Sequence, residues 1–292
     1  MLDQDEPTFA NWDQDETALA ERYDLQDPAV VGPELVAAAE AVAARYDALS
    51  AAPEETWVRR GLRSNGSEFT VDTLARYHLH DVLDHTHDVR AAAARATVAA
   101  YDEDAAAFSE ATARLNDWTR AELDWLAGAL GGEGTVLEIG SGGGRDAAGL
   151  QERGLTVRCT DVSAGFVELL RSRGFEAERL DPLTDDLGGP YDGVWASASL
   201  LHVARPDLPT VLHRLAAATR QGGALAATLK EGDGEEWSVH GQVRAPRRYV
   251  YWREGPLREA LEGAGWEVEL VDHATGTSGQ AWLMIRASRS AS

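Results

Sequence analysis

One short segment, TVLEIGSGGGRDAAGL at residues 135–150, restricts the folds open to this chain more than any other. Its first residues form an apolar run that suits a buried parallel strand, and its last residues suit the start of a helix. Between them, the run from Gly140 to Gly144 lets the backbone turn sharply and approach a ligand closely. The free N–H groups at the start of the helix then point at whatever occupies the turn. The segment therefore predicts a nucleotide-binding turn in an α/β fold.

The spacing of the glycines distinguishes between nucleotide cofactors. A dinucleotide fingerprint requires G-x-G-x-x-G, and counted from Gly140 its third glycine would fall at Arg145. The pattern present is E-x-G-x-G-x-G, which begins at Glu138. This pattern resembles motif I of the class I methyltransferases that depend on S-adenosylmethionine (SAM). The resemblance implies that Glu138, Gly140, Ser141 and Gly142 bind SAM, with Glu138 at the amino group.

Residues that follow the next predicted strands extend the resemblance to about residues 98–288. A second strand ends at Asp161, where an α/β nucleotide site places a carboxylate against the ribose hydroxyls. Asp181 follows a third strand over 177–180, and the resemblance implies that it meets the adenine amino group. A fourth strand covers 191–197. Four further residues beside these strand ends complete the predicted cofactor site: Val162, Pro182, Ser197 and, from an earlier segment, Tyr101.

The predicted order of elements defines the fold class. Strands that alternate with helices indicate βαβ units and a mostly parallel sheet. Strands over 224–230, 266–273 and 280–287 follow, and no helix separates the last two. We expect a Rossmann-like, doubly wound α/β fold with a seven-stranded sheet that ends in an antiparallel hairpin. A small helical segment over 1–95 should precede the methyltransferase domain over 96–288.

Two segments outside the motifs are predicted to contribute to the part of the site that binds the methyl acceptor. Residues 98–118 resemble the segment that covers the SAM site in small-molecule methyltransferases, which implies that Tyr101 lies over the cofactor and Phe108 closes the pocket. Alternatively, both aromatic residues belong to the apolar stripe of an amphipathic helix. His202, just after the fourth strand, is a candidate catalytic base or a residue that shapes the site.

The long, turn-rich stretch 229–254 is the predicted substrate lid, because long loops at the ligand edge of a sheet are commonly functional. Its cationic and aromatic character would suit an anionic or aromatic acceptor. The lid residues singled out are Lys230, Glu231, Arg247, Tyr249 and Tyr251, and the stretch also carries His240.

The first 95 residues differ from the rest, with 19 Asp or Glu against 8 Lys or Arg. Helical periodicity predicts helices over 33–50 and 71–90. The stretches 57–71 and 76–89, with a loop near Asn11, resemble half of the four-helix domain of DinB and mycothiol-dependent maleylpyruvate isomerase-like metal-binding proteins. Two helices bury too little apolar surface alone, so this half should pack on the methyltransferase domain or pair with a copy of itself as a homodimer.

Three side chains in this segment are candidate metal ligands. His80, Asp84 and His87 are spaced i, i+4 and i+7, so they share one helix face and could hold a divalent ion together with solvent or another chain. The resemblance places the first histidine ligand of the family on the missing half. Because one ligand is replaced and the helix that carries another is absent, the predicted role of this segment is a vestigial helical cap or an oligomer surface without metal.

The composition of the chain restricts the class of molecule that it can bind. A net charge of −22 argues against nucleic acid, which requires a basic surface, and favours a small-molecule substrate. The sequence has no apolar run of the roughly 20 residues that span a membrane, and its acidic first residues predict a cytoplasmic protein. The predicted function is SAM-dependent methylation of a small molecule. The alternatives are a non-catalytic SAM-binding regulatory protein, an NAD-linked oxidoreductase, and a metal-dependent thiol transferase at the N-terminal segment.

Overall fold

The computed structural model describes residues 1–10, 12–239, 242–276 and 279–290. Asn11 and His240, which the sequence analysis named, lie outside these ranges. The chain divides into two compact units, Met1–Asp88 and Val89–Ser292, and each is described by itself. None of the helices among the described residues is long and apolar enough to cross a membrane.

The N-terminal unit combines helices with a small sheet. Strands β1 (Thr8–Phe9), β2 (Arg60–Arg63) and β3 (Glu68–Thr70) lie in that order, with β1 parallel and β3 antiparallel to β2. The stretch 57–71, for which no strand was predicted, therefore contains a β-hairpin. The helices of this unit are α1 (Gln14–Ala20), a 3-10 turn (Tyr23–Leu25), α2 (Pro28–Ser50), α3 (Glu54–Trp57) and the first part of α4 (Val71–Ala111).

Both long helices extend beyond their predicted bounds. Helix α2 begins at Pro28 because the Asp27 side chain accepts the N–H of Ala29 and so caps the helix. The predicted start, Pro33, instead lies inside the helix. Helix α4 continues past the predicted end at 90 to Ala111, because the sequence between contains no glycine or proline.

The second unit has the predicted α/β fold. Its elements after α4 are α5 (Asp117–Ala129), β4 (Thr135–Ile139), α6 (Arg145–Gln151), β5 (Thr156–Asp161), α7 (Ala164–Ser172), β6 (Ala177–Arg179), β7 (Tyr191–Ser197), a 3-10 turn (Leu200–His202), α8 (Leu208–Ala217), β8 (Thr219–Lys230), β9 (Glu235–Ser238), β10 (Arg247–Val250), α9 (Glu254–Gly263), β11 (Trp266–Thr275) and β12 (Ala281–Arg289). The main sheet has seven strands in the order β11-β12-β8-β7-β4-β5-β6. Its last two pairings, β8 with β12 and β12 with β11, are antiparallel, and the others are parallel. The predicted doubly wound sheet with its terminal hairpin is confirmed.

Two apolar clusters cover the two faces of this sheet. Side chains alternate between faces along a strand, so Leu137 of β4 packs in one cluster and the neighbouring Val136 in the other. The first cluster includes Leu212 of α8, and the second includes Leu150 of α6. The chain crosses from one side of β4 to the other between β6 and β7. That switch point is where open α/β sheets bind ligands, at the carboxyl ends of the strands.

The predicted lid is more ordered than its sequence indicates. Strands β9 and β10 pair antiparallel within it, with Arg248 opposite Trp237. Strand β8 also begins at Thr219, five residues before the predicted start, and brings Lys230 to the ligand edge. The stretch 229–254 is therefore the end of a strand followed by a hairpin, and the description of it as a loop was wrong.

We expect substitutions in the sheet core to destabilise the second unit strongly. Leu137 is fully buried, so Leu137→Ala should lower the free energy of unfolding by about 2–5 kcal/mol through lost burial and a residual cavity. Leu270→Ala is the matched control, because Leu270 on β11 is 38% exposed and should change stability by less than about 0.5 kcal/mol. Urea titration followed by circular dichroism measures both. Equal effects of the two substitutions would contradict the assigned core.

Candidate cofactor and active site

The glycine turn joins the end of β4 to the start of α6. Gly140, Gly142 and Gly144 have φ angles of 76°, 52° and 84°, in the left-handed region that other residues rarely adopt. A Cβ atom at Gly140 would lie 2.5 Å from the Cβ atom of Ser199. The N–H of Gly140 donates to the carbonyl of Thr160 at 3.0 Å. The turn is therefore fixed between the end of β5 and the segment after β7.

Glu138, close to the C-terminal end of β4, is buried without full hydrogen bonding. Its relative exposure is 1%, and its Oε2 atom has no hydrogen-bond partner among the described residues. Burial and then the negative charge of Asp146 raise the pKa of Glu138 to about 8, against a hydrogen bond from Ser141. A buried oxygen without a partner costs free energy until a ligand supplies the donor. Glu138 is thus suited to receive a cationic N–H group.

Asp161 ends β5 and lies beside the glycine turn. Its Oδ2 atom accepts the N–H of Gly142 at 3.0 Å, and its Oδ1 atom accepts the N–H of Ser163 at 2.9 Å. Burial raises the pKa of Asp161 to about 6, while these backbone hydrogen bonds act in the opposite direction. Each carboxylate oxygen can accept a second hydrogen bond. Asp161 can therefore also accept from a pair of adjacent hydroxyl groups.

The other predicted cofactor residues occupy the strand ends. Val162 and Ser197 are partly exposed, at the ends of β5 and β7, and Pro182 is buried. Asp181 is exposed, and its Oδ1 atom accepts the N–H of Leu183 at 2.9 Å, which stabilises the turn after β6. Part of the acceptor capacity of Asp181 is therefore used locally.

The C-terminal part of α4 contributes aromatic residues to this edge of the sheet. The ring of Tyr101 lies 5.4 Å from that of Phe108 and 5.8 Å from that of Phe166, and the two phenylalanine rings are 5.7 Å apart. Phe166 belongs to the first turn of α7. The two aromatic residues from residues 98–118 therefore pack at the N-terminus of the helix that follows Asp161.

Polar contacts hold this part of α4 in place. The Oδ1 atom of Asp102 accepts the Ser163 hydroxyl at 2.6 Å and the N–H of Gly165 at 3.0 Å. About two turns further along α4, Ser109 accepts a hydrogen bond from Arg173 at 2.7 Å, and Arg173 also donates to the carbonyl of Gly143 at 2.6 Å. The segment is thus tied both to the start of α7 and to the glycine turn.

His202 ends the 3-10 turn after β7 and uses both ring nitrogens within the protein. Its Nδ1 atom lies 2.6 Å from the carbonyl oxygen of Arg248, and its Nε2 atom lies 2.9 Å from the Tyr101 hydroxyl. A carbonyl only accepts, so Nδ1 carries the proton and Nε2 accepts from Tyr101. Burial lowers the pKa of His202 to about 4. The neutral ring positions Tyr101, and this arrangement does not leave His202 free to act as the base.

Three predicted lid residues lie together. The Nζ atom of Lys230 is 3.7 Å from the centroid of the Tyr249 ring, and the guanidinium carbon of Arg247 is 5.5 Å from the same centroid. Tyr251 lies at the border of this group, with its ring centroid 5.9 Å from Lys230 Nζ. Glu231 instead faces other elements, because its carboxylate lies 3.0 Å from Nδ1 of His273.

Sequence reasoning missed several residues of this site. The Oδ2 atom of Asp146, in the first turn of α6, accepts the indole N–H of Trp195 at 3.1 Å. Ser199 places its buried hydroxyl, which has no hydrogen-bond partner among the described residues, beside Gly140. No local pattern identified these residues or Asp102, because their roles depend on contacts between distant parts of the chain. The one sequence signal that could have identified them is a polar residue next to the end of a predicted strand.

The candidate metal ligands do not form a cluster. His80 Nδ1 lies 3.1 Å from Asp84 Oδ2, as an exposed pair one helical turn apart on α4. In the described part of the chain, no group of three or more His, Cys, Asp or Glu side chains is arranged to hold a metal ion. The structure therefore does not bring His87 together with the other two candidates as a three-ligand site.

A family model described as a methyltransferase domain matches residues 137–225, which run from the last three residues of β4 through the glycine turn and β7 to the first part of β8. The match covers less than a third of the chain. No curated protein matches the chain. The matched segment holds the glycine turn, Asp161 and Asp181, so the family match and the geometry identify the same edge of the sheet.

Two solved structures share the fold of this domain. One is the 1,6-didemethyltoxoflavin-N1-methyltransferase of Burkholderia thailandensis with bound 1,6-didemethyltoxoflavin and S-adenosylhomocysteine (SAH), at 22% identity and a TM-score of 0.54, over 70% of this chain and 90% of that chain. The other is the DhpI–SAH complex, at 20% identity and a TM-score of 0.55, over 68% of this chain and 98% of that chain. At these identities the likeness shows the fold.

The fold and the domain match indicate a SAM-dependent methyltransferase, with SAM as its cofactor, and the residues present fit that cofactor. SAM carries a cationic amino group and a ribose diol. The unpaired, buried Oε2 atom of Glu138 suits the amino group, and the remaining acceptor capacity of Asp161 suits the diol. The glycine turn between them leaves open space where a side chain at Gly142 would lie.

The raised pKa of Glu138 predicts pH-dependent cofactor binding. Below a pKa of about 8 the empty site holds Glu138 protonated, and a bound ammonium group favours the carboxylate, so binding should release a proton. SAH affinity should rise between pH 6.5 and 8, by at most about tenfold per pH unit. Calorimetry in buffers of different ionisation enthalpy measures the released proton. Glu138→Gln should remove both the release and the slope, and a flat profile in the unsubstituted protein would contradict the role of Glu138.

Proposed function

We propose that this protein transfers the methyl group of SAM to a small-molecule acceptor. One observation supports the proposal most strongly: a buried carboxyl group with an unpaired oxygen, Glu138, lies beside a left-handed glycine turn within the matched methyltransferase domain. A carboxyl group in this state gains stability from a cationic ligand, and the amino group of SAM is one. No dinucleotide provides such a group at this position.

The residue roles follow from the contacts. Glu138 is proposed to hold the amino group, Asp161 the ribose hydroxyls, and Asp181 the adenine edge through its second oxygen. The backbone of Gly140, Ser141 and Gly142 is proposed to lie against the cofactor. These roles agree with the burial of Glu138 and Asp161 and with the exposure of Asp181.

Catalysis in this site is proposed to rest on positioning. SAM, when bound, supplies a methyl group activated by its sulfonium charge. The aromatic residues Tyr101, Phe108 and Phe166 are proposed to exclude water and to orient the acceptor, since correct orientation alone can accelerate a transfer strongly. His202 fixes the Tyr101 hydroxyl through its Nε2 atom. An acceptor that is already anionic or a free amine then needs no base.

A small molecule is the proposed acceptor on two grounds. The net charge of −22 opposes binding of a polyanion such as nucleic acid. Within the similar fold from Burkholderia thailandensis, the bound acceptor named is a small heterocycle, 1,6-didemethyltoxoflavin.

The N-terminal unit is proposed to form a homodimer, as half of a DinB-like helical domain completed by a second copy. Its helices α2 and α4 meet through Tyr46 and His78, whose rings are 5.8 Å apart, and both leave apolar side chains exposed. Leu35 is 68% exposed on α2 and Leu83 is 60% exposed on α4. Pairing two such helix pairs would bury these residues in a four-helix arrangement.

A cytoplasmic location stays a prediction.

Calorimetry with SAH tests the cofactor site. We expect binding in the micromolar range, weakened about 100-fold or more in Asp161→Ala, because the hydrogen bonds from Gly142 and Ser163 and those to the ligand are lost together. Asp124→Asn is the matched control, since Asp124 lies on the exposed side of α5 and pairs with Arg153. Product formation from a panel of small acceptors then separates an enzyme from a SAM-binding regulator. NAD binding in place of SAH binding would refute the proposal.

Light scattering tests the dimer. The unsubstituted chain should show twice its monomer mass of 31.5 kDa, and Leu83→Glu should shift it to the monomer because a charge in an apolar interface is costly. Leu270→Glu, an equally drastic change on the exposed side of β11, should leave the mass unchanged. A monomeric unsubstituted protein at micromolar concentration would rule the dimer out.

A further inference from the structure

The C-terminal part of α4 contacts the glycine turn and the start of α7 with one of its faces. Asp102 and Ser109, spaced i and i+7, lie on this face. Asp102 accepts the Ser163 hydroxyl at 2.6 Å, and Ser109 accepts from Arg173, which also donates to the glycine turn. A Cβ atom at Gly165 would lie 2.8 Å from the carbonyl oxygen of Asp102. This face of α4 therefore packs directly on the proposed cofactor site.

A second face of the same helix contacts β10. Thr97 and Tyr101 lie on it, one turn apart at i and i+4. The Thr97 Oγ1 atom accepts the N–H of Arg248 at 3.1 Å, and an Arg247 N–H reaches the Tyr101 hydroxyl at 3.4 Å. Asp104, three residues after Tyr101, extends the same face. The helix therefore lies between the proposed cofactor site and the β9–β10 hairpin, and it contacts both.

Asp104 makes the shortest of the contacts on the second face. Its Oδ2 atom accepts the backbone N–H of Arg244, just before β10, at 2.8 Å. Its Oδ1 atom accepts from the Arg244 guanidinium, 3.0 Å from Nε and 2.8 Å from Nη2. These hydrogen bonds lower the pKa of the Asp104 carboxyl group, so it is ionised at neutral pH. Asp104 thus binds both the backbone and the side chain of one distant residue.

The carboxylate of Asp104 depends on this partner. Asp104 is 7% exposed, and a carboxylate held away from water requires hydrogen-bond donors. An aspartate inside a helix commonly bonds to its own backbone instead. Asp104 leaves helical geometry, with φ −114° and ψ 17°, at the point where it reaches Arg244. Because Tyr101 lies one turn earlier on the same helix, a shift of Asp104 would also move the Tyr101 ring.

We propose that Asp104 is a positioning residue of the methyltransferase site, which binds Arg244 and thereby fixes β10 against α4 and the Tyr101 ring over the cofactor. This inference rests on the proposed function and adds a residue to its site. Release of the cofactor then requires α4 and the β9–β10 hairpin to separate. The pair of Asp104 and Arg244 therefore determines the dissociation rate of the cofactor more than its association rate.

Surface plasmon resonance of the immobilised full chain with SAH measures both rates. Asp104→Asn is isosteric but cannot form the ion pair, so it should raise the dissociation rate about tenfold and change the association rate less than about threefold. Arg244→Gln should do the same, and it changes a side chain that is 81% exposed, so folding is not at risk. Arg244→Lys should restore part of the slow dissociation. Asp124→Asn, which breaks the ion pair with Arg153, is the matched control and should leave both rates unchanged.

Combined variants show how Asp104 acts. Because the ion pair is one unit, the double variant Asp104→Asn, Arg244→Gln should release SAH no faster than either single variant. In a Tyr101→Leu background, which lacks the ring, Asp104→Asn should have no further effect on dissociation. Effects of Asp104→Asn and Tyr101→Leu that multiply would show that Asp104 does not act through Tyr101, and they would overturn the inference.

Hydrogen exchange followed by mass spectrometry tests the connection without any ligand. Asp104→Asn should speed exchange in residues 97–111 and in residues 244–250 together, because the two segments separate more often. Faster exchange confined to 97–111 would overturn the inference, since Asp104 would then stabilise only its own helix.

The kinetic results separate this inference from the proposed function. SAH binding with an unchanged dissociation rate in both Asp104→Asn and Arg244→Gln would overturn the positioning role and leave the methyltransferase proposal intact. Absence of SAH binding in the unsubstituted protein would instead overturn the proposed function. In that case the exchange result alone decides whether Asp104 joins α4 to β10.

Discussion

The hydrogen bonds between the glycine turn and the end of β5 determine the geometry of the whole site. The N–H groups of Gly140 and Ser141 both donate to the carbonyl of Thr160, and the N–H of Gly142 donates to Asp161. The Ser141 hydroxyl accepts the N–H of Thr160 in return. Because these bonds join two neighbouring parallel strands at their carboxyl ends, they fix Glu138 and Asp161 relative to each other before any ligand binds. The site is preorganised at the expense of burying two carboxyl groups.

The sequence predicted the sheet well because each core strand is a short apolar run bounded by glycine or a polar residue. The strand predicted over 191–197 has the same bounds in the structure, and the apolar run that begins the glycine-rich segment forms β4, Thr135–Ile139. The hairpin β9–β10 was not predicted, because its strands contain no such apolar run. Its strands read EEWS and RRYV, and in them charged residues occupy positions where a periodic pattern would place apolar ones. Their pairing depends on the surrounding site.

Side-chain partnerships over long sequence distances lay beyond prediction. Asp102 and Ser163 are 61 residues apart, and His202 is 101 residues from Tyr101. The sequence suggested that the segment 98–118 lies near the cofactor, but not that Asp104 leaves helical geometry there and pairs with Arg244. At this kink in α4, Asp102 and Asp104 contact two different elements, Ser163 before α7 and Arg244 before β10. Such contacts follow from the fold and cannot be deduced from local pattern.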